Sequence, residues 1–146
     1  MSITSAIPNS LLTELGFGLH DFRAAGNTFK CALYTSSASL GAGTPVYTST
    51  GEVNGTGYTL GGATLTNVSP IVSNSVGVYD FADLVFSTLT VTGIRGCLIY
   101  NSTNGNRAVA VLNFVTDQSP SAENFTITFP GATSTTAIIR IKRVTT

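Results

Sequence analysis

The chain has 146 residues, of which only 10% are charged, and its seven Lys plus Arg balance seven Asp plus Glu. That composition excludes a binder that works through a basic stripe, so nucleic acid is not an expected partner. No apolar run approaches the roughly 18 residues of a membrane-spanning helix, and MSITSAIPNS lacks the basic start and continuous apolar stretch of a secretory leader, so no membrane association is expected.

Met1–Asn9 has the composition of a flexible arm. Ser10–Phe22, SLLTELGFGLHDF, is the one stretch with helical character: Ser10 is placed to cap it, and Leu11, Leu12, Leu15 and Leu19 recur at roughly helical spacing. Gly16 and Gly18 keep it short. After AAGN the period changes to two, which divides a single-domain chain into an arm with a short helix over 1–27 and a β-domain over 28–146. TFKCALYT places Phe29, Cys31 and Leu33 on one face of a strand and Lys30, Ala32 and Tyr34 on the other. Further strands are expected at Ala63–Val68, Val76–Phe81, Leu84–Val91, Arg95–Asn101, Arg107–Val115, Phe125–Phe129 and Thr136–Val144, about eight in all.

Between Gly96–Asn101 and Ala108–Phe114 lies STNGNR, where Asn104-Gly105 suits the positive φ angles of a tight hairpin turn. Neither face of this hairpin is fully polar, so both should be covered, by an extra layer or by a subunit interface. Short antiparallel strands with frequent turn residues predict an all-β antiparallel sandwich, with jelly-roll winding as one option.

The stretch TSTGEVNGTGYTLGGATL (48–65) looks like a phosphate-binding loop, but the resemblance fails on spacing. Ala63 and Thr64 follow Gly62 where a Walker loop needs Lys then Ser or Thr, and GTGYTLG has one residue too many for GxGxxG. No cofactor is expected. Asp80 and Asp83 form a close carboxylate pair, read here as turn residues accepting backbone hydrogen bonds in preference to an acid–base pair. His20, the one histidine, stands beside Asp21 and reads as a structural pair, without the nucleophile elbow of a hydrolase. Cys31 and Cys97 belong to no metal pattern and read as small buried hydrophobes, a bridge between them remaining open. Most Phe fall in strand runs and belong to the core. Tyr47 and Tyr58, flanking the glycine-rich stretch, are expected to be exposed and suited to a partner surface.

Taken together, HDFRAAGNTFKCALYTSSASLGAG, YTSTGEVNGTGYTLGGATL, DFADLVFSTLTVTGIRGCLIYN and NGNRAVAVLNF resemble a family of small virion structural proteins encoded by tailed bacteriophages. The resemblance runs from Leu11 to Ile141, and its blocks are specific in combination. It implies a non-enzymatic component of the particle, made in the host cytoplasm: a capsid decoration (cement) protein on the head exterior that binds the major capsid protein, or alternatively a tail or fibre subunit that binds a tail protein or a host glycan or protein. A symmetric homo-oligomer, trimer in preference to dimer, goes with that reading. The helix residues Leu11, Leu12 and Leu15, with Tyr47 and Tyr58, are the candidates for partner contact, and no catalytic, cofactor or metal residues are implied.

Overall fold

The computed structural model describes residues 2–144. One helix, α1 (Asn9–Glu14), precedes nine strands: β1 (Phe29–Tyr34), β2 (Ala63–Thr64), β3 (Asn67–Ser73), β4 (Val76–Phe81), β5 (Leu84–Leu89), β6 (Ile94–Asn101), β7 (Arg107–Gln118), β8 (Glu123–Ile127) and β9 (Ile139–Lys142). The strands pair antiparallel in three sheets, ordered β2-β1-β6-β7, β3-β4-β9 and β5-β8, and together make an all-β sandwich. β4 with β9, β5 with β8 and β6 with β7 form nested pairs. That is the pairing of a double ribbon wound on itself, as in a jelly roll.

Alternation along β1 sends Phe29, Cys31 and Leu33 into the main core, where they meet Phe81, Phe86, Ile99 and Val109 from the other strands. Phe22 stacks on Phe29 at 4.7 Å between centroids, and both rings lean on Phe81. Ala32 and Tyr34 point the other way, with Leu98, Tyr100, Ala108 and Val111, into a second apolar cluster. The chain itself covers that second face: Ile3 from the arm and Ala38, Leu40 and Tyr47 from the segment after β1 pack on it. The expected double-sided burial is present, and its cover is an intramolecular layer.

Several local expectations are corrected. Met1 lies outside the described residues, but Ser2–Asn9 does not behave as a flexible arm. Ile3 is buried and bridges Leu40, while Ala6 exchanges two backbone hydrogen bonds with Val111 at 3.0 and 2.9 Å, extending the β7 edge. The helix ends at Glu14, and turn hydrogen bonds follow, from the Phe17 amide to the Thr13 carbonyl and from the Gly18 amide to the Leu15 carbonyl, each at 3.2 Å, before Gly18 reverses the chain at a φ of 71°. Its N-cap is Pro8, so Ser10 is inside the helix and its buried Oγ has no partner among the described residues.

The strand expected at Ala63–Val68 is two strands, and β3 runs through Pro70 because the register shifts between Val68 and Ile71, a bulge on an edge strand. Asn74 and Ser75, with φ of 49° and 64°, then make the tight β3–β4 turn. In the β6–β7 loop the left-handed residues are Gly105 and Asn106, not Asn104 and Gly105. Asn101 Oδ1 draws the turn forward by accepting from the Thr103 and Asn104 amides at 3.1 and 3.2 Å.

Candidate functional site

The glycine-rich stretch is a broken edge strand. At one end Glu52 bridges Tyr34 and the Val53 amide donates to the Leu33 carbonyl at 3.0 Å; at the other, Ala63 and Thr64 pair with Cys31 and Lys30. Between them 54–62 leaves β1 and crosses to β5, where the Thr90 amide donates to the Thr56 carbonyl at 2.8 Å. The excursion therefore ties the four-stranded sheet to the β5–β8 pair. Gly62 permits the return to β1, since its φ is +80° and its α-carbon lies flat against the Cys31 carbonyl.

One carboxylate organises this loop. Glu52 accepts from the Tyr47 hydroxyl at 2.6 Å, the Tyr58 hydroxyl at 2.5 Å and the Gly61 amide at 2.7 Å. Tyr58 accepts in turn from the Leu33 amide at 2.9 Å, and the Tyr100 and Tyr34 hydroxyls donate to the Gly61 and Thr48 carbonyls, each at 2.6 Å. Burial pushes the Tyr58, Tyr34 and Tyr47 hydroxyls well up, with the Glu52 charge adding to it, and raises Tyr100 to about 12 for the same two reasons. These tyrosines remain neutral donors at any ordinary pH. Tyr47 and Tyr58, expected at the surface, are half-buried: the ring of Tyr47 stacks on Tyr100 at 4.8 Å and that of Tyr58 leans on Phe86. Each hydroxyl hydrogen is therefore committed to Glu52 within the chain. Sequence reasoning missed Glu52, although one sign was available: it is the only charged residue between Lys30 and Asp80.

A second polar cluster lies where the N-terminal segment meets the β6–β7 turn. His20 pairs with Glu14, not with its neighbour Asp21: Nε2 lies 3.1 Å from Glu14 Oε1, while the Arg107 guanidinium donates to Oε2 at 2.7 Å. Asn101 Oδ1 is already occupied by two backbone amides, which turns its Nδ2 toward three acceptors, the Leu19 carbonyl at 3.2 Å, His20 Nδ1 at 3.1 Å and Asn27 Oδ1 at 2.9 Å. The Glu14 carboxylate can only accept, so its contact with His20 calls for a proton on Nε2. Asp21 instead takes Arg23, which holds its carboxyl down at about 2.

Burial opposes ionisation of Glu14, but the hydrogen bonds from His20 and Arg107 outweigh it and hold the carboxyl below its ordinary value. A depressed folded value means that the stabilisation is present above about 4.5 and is lost as pH falls through the folded value. Glu14→Gln should thus be less stable than the parent by about 2 kcal/mol at neutral pH, with the gap closing on acidification. Urea denaturation across the acid range checks this, and a gap that stays constant with pH would contradict it.

Of the two carboxylates expected on a turn, Asp83 lies in the β4–β5 connection, whereas Asp80 is a strand residue of β4 paired with Val68. Asp80 Oδ1 accepts from the Phe81 amide at 2.9 Å and Asp83 Oδ1 from the Phe129 amide at 2.8 Å. Burial raises the Asp80 carboxyl, against the pull of the Phe81 amide, and the Asp83 charge adds to the rise; its Oδ2 has no partner among the described residues. No group of three or more potential metal-ligating side chains occurs among the described residues. Cys31 and Cys97 are buried, free thiols on neighbouring strands, and hydrogen bonding to Cys97 together with burial pushes the Cys31 thiol well up.

Of the three leucines proposed for partner contact, Leu11 is fully buried in the main core, Leu15 is half-buried against it, and Leu12 is 68% exposed. Leu12 and Leu15 line an apolar hollow of about 270 Å³ between α1 and β9, closed by Ile138 and Ile141. A larger groove of about 520 Å³ runs between the arm, β7 and the 127–138 segment, and Ile7 and Ile138 belong to both. The five residues do not form one surface: α1 faces this groove system, whereas the tyrosines belong to the Glu52 cluster. No family model, curated protein or solved structure matches the chain.

Proposed function

We propose that this protein is a structural component of a tailed-bacteriophage virion, a decoration protein that binds the head exterior and bridges major capsid protein subunits by surface contact alone. The observation that carries the reading is how the polar groups are distributed. His20, Glu14, Glu52 and four of the five tyrosines direct their polar atoms at one another and at the backbone, while the outward-facing features include neutral loops, an open apolar groove beside α1 and, at its border, the exposed Arg140, Lys142 and Arg143. Such a molecule acts by burying surface at each contact, and a stable attachment needs about 1,200–2,000 Å². Many copies on a symmetric shell multiply weak contacts through avidity. The blocks that carry the family resemblance are the same ones that build the fold: EVNGTGYTLGG ties the sheets together, and NGNR anchors the His20 cluster. A symmetric homo-oligomer, trimer before dimer, belongs to the same proposal.

Purified protein added to heads that lack it should bind at fixed stoichiometry and raise the temperature at which they rupture. Leu12→Asp, at an exposed position, should leave the fold intact and weaken that binding by about tenfold or more. Heads whose heat resistance is unchanged by saturating protein would contradict the proposal.

A further inference from the structure

The sequence contains two Asn-Gly pairs, Asn54-Gly55 and Asn104-Gly105. In such a pair the backbone nitrogen of glycine reaches the asparagine side-chain carbonyl with little hindrance, because glycine has no side chain and a permissive backbone. The fold treats the two pairs differently. Asn104 is half-buried, its Nδ2 donates to the Leu19 carbonyl at 2.6 Å, and its own amide donates to Asn101 Oδ1 at 3.2 Å. Its side chain is tied back to the N-terminal segment. Asn54 is exposed, and among the described residues neither its side chain nor the Gly55 amide makes a hydrogen bond. The chain on either side is held, with the Val53 amide on the Leu33 carbonyl at 3.0 Å and the Tyr58 amide on the Gly55 carbonyl at 3.3 Å.

We propose that Asn54 is a site of spontaneous deamidation in the folded protein and that Asn104 is protected. The Gly55 nitrogen attacks Asn54 Cγ and forms an N–Cγ bond. The Cγ–Nδ2 bond breaks, and Nδ2 leaves as ammonia with the proton that the Gly55 nitrogen gives up. Water then opens the cyclic imide: addition at Cγ yields aspartate, and addition at the main-chain carbonyl yields isoaspartate, whose backbone carries one extra methylene. Either product places a new carboxylate two residues from Glu52. The isoaspartate also displaces Gly55, whose α-carbon lies against the Thr90 carbonyl and Val91, where the glycine-rich loop meets β5.

The test is peptide mass mapping of the full chain after incubation at mildly alkaline pH, with and without urea. A gain of about 1 Da should accumulate at Asn54 about tenfold or more faster than at Asn104, whose hydrogen bonds must first break. Urea should remove the difference, and Asn54→Gln should remove the gain from its peptide. Equal or faster reaction at Asn104 in the folded protein, reaction at Asn54 only in urea, or a mass gain persisting in that peptide of Asn54→Gln would each overturn the proposal.

Discussion

Gly62→Ala should prevent the protein from folding, or destabilise it by more than about 4 kcal/mol, a large part of the 5–15 kcal/mol typical of a domain. Two costs coincide at this position. A β-carbon there overlaps the Cys31 carbonyl oxygen and crowds the Ala32 α-carbon, both backbone atoms of a fully buried strand that cannot give way. The residue also sits at φ +80°, where any L side chain is strained. Gly43→Ala is the control, since an added β-carbon there meets nothing within 4 Å. Soluble yield and urea midpoints of the two variants measure the contrast. A Gly62→Ala protein as stable as Gly43→Ala would show that the loop does not pack on β1 as described.

Glu52→Ala should cost about 3 kcal/mol and lower the melting temperature by about 10 °C. The substitution removes the acceptor of three donors at once, the Tyr47 and Tyr58 hydroxyls and the Gly61 amide. Hydrogen bonds to an ionised group contribute about 1.5–3 kcal/mol each, but the three share one side chain that is itself half-exposed, so water replaces part of the loss and the sum is not additive. Glu52→Gln keeps one acceptor oxygen and should fall about midway. Tyr58→Phe should cost less than Glu52→Ala, because it removes one of the three donors together with the Leu33 contact. Thermal denaturation followed by circular dichroism ranks the three variants. If Glu52→Ala melts with the parent protein, the carboxylate is not what holds the loop.

The parts of the fold that were legible in the sequence are those set by local pattern. β4 falls at Val76–Phe81, where alternation placed it, and the two faces of β1 divide as Phe29, Cys31 and Leu33 against Ala32 and Tyr34. Long-range partners were not legible. Nothing in ITSAIP says that Ile3 will bury beside Leu40 or that Ala6 will pair with Val111, because those contacts depend on where β7 lies in the finished sandwich. β3 was hidden by Pro70, which is tolerated only because the strand is an edge with a bulge at that point. The tyrosines were misplaced for a related reason. Flanking glycines suggest exposure, but the glycines here allow the chain to lie close to β1 and β5, and that closeness carries Tyr47 and Tyr58 inward to Glu52. His20 was expected to pair with its neighbour Asp21, yet its partner is Glu14, because the turn at residues 15–18 folds the helix back toward it.

The fold and its two polar clusters give the proposed function a specific form: a β-sandwich of zero formal net charge whose N-terminal segment and helix border the open apolar groove. A cryo-electron reconstruction of the virion that locates this chain and counts its copies tests that form most directly. Under the proposed function, density for the sandwich is expected on the outer face of the head, at every equivalent position between capsid subunits, with α1 and Leu12 toward the shell. Density confined to the tail, or no density in the particle, would contradict it.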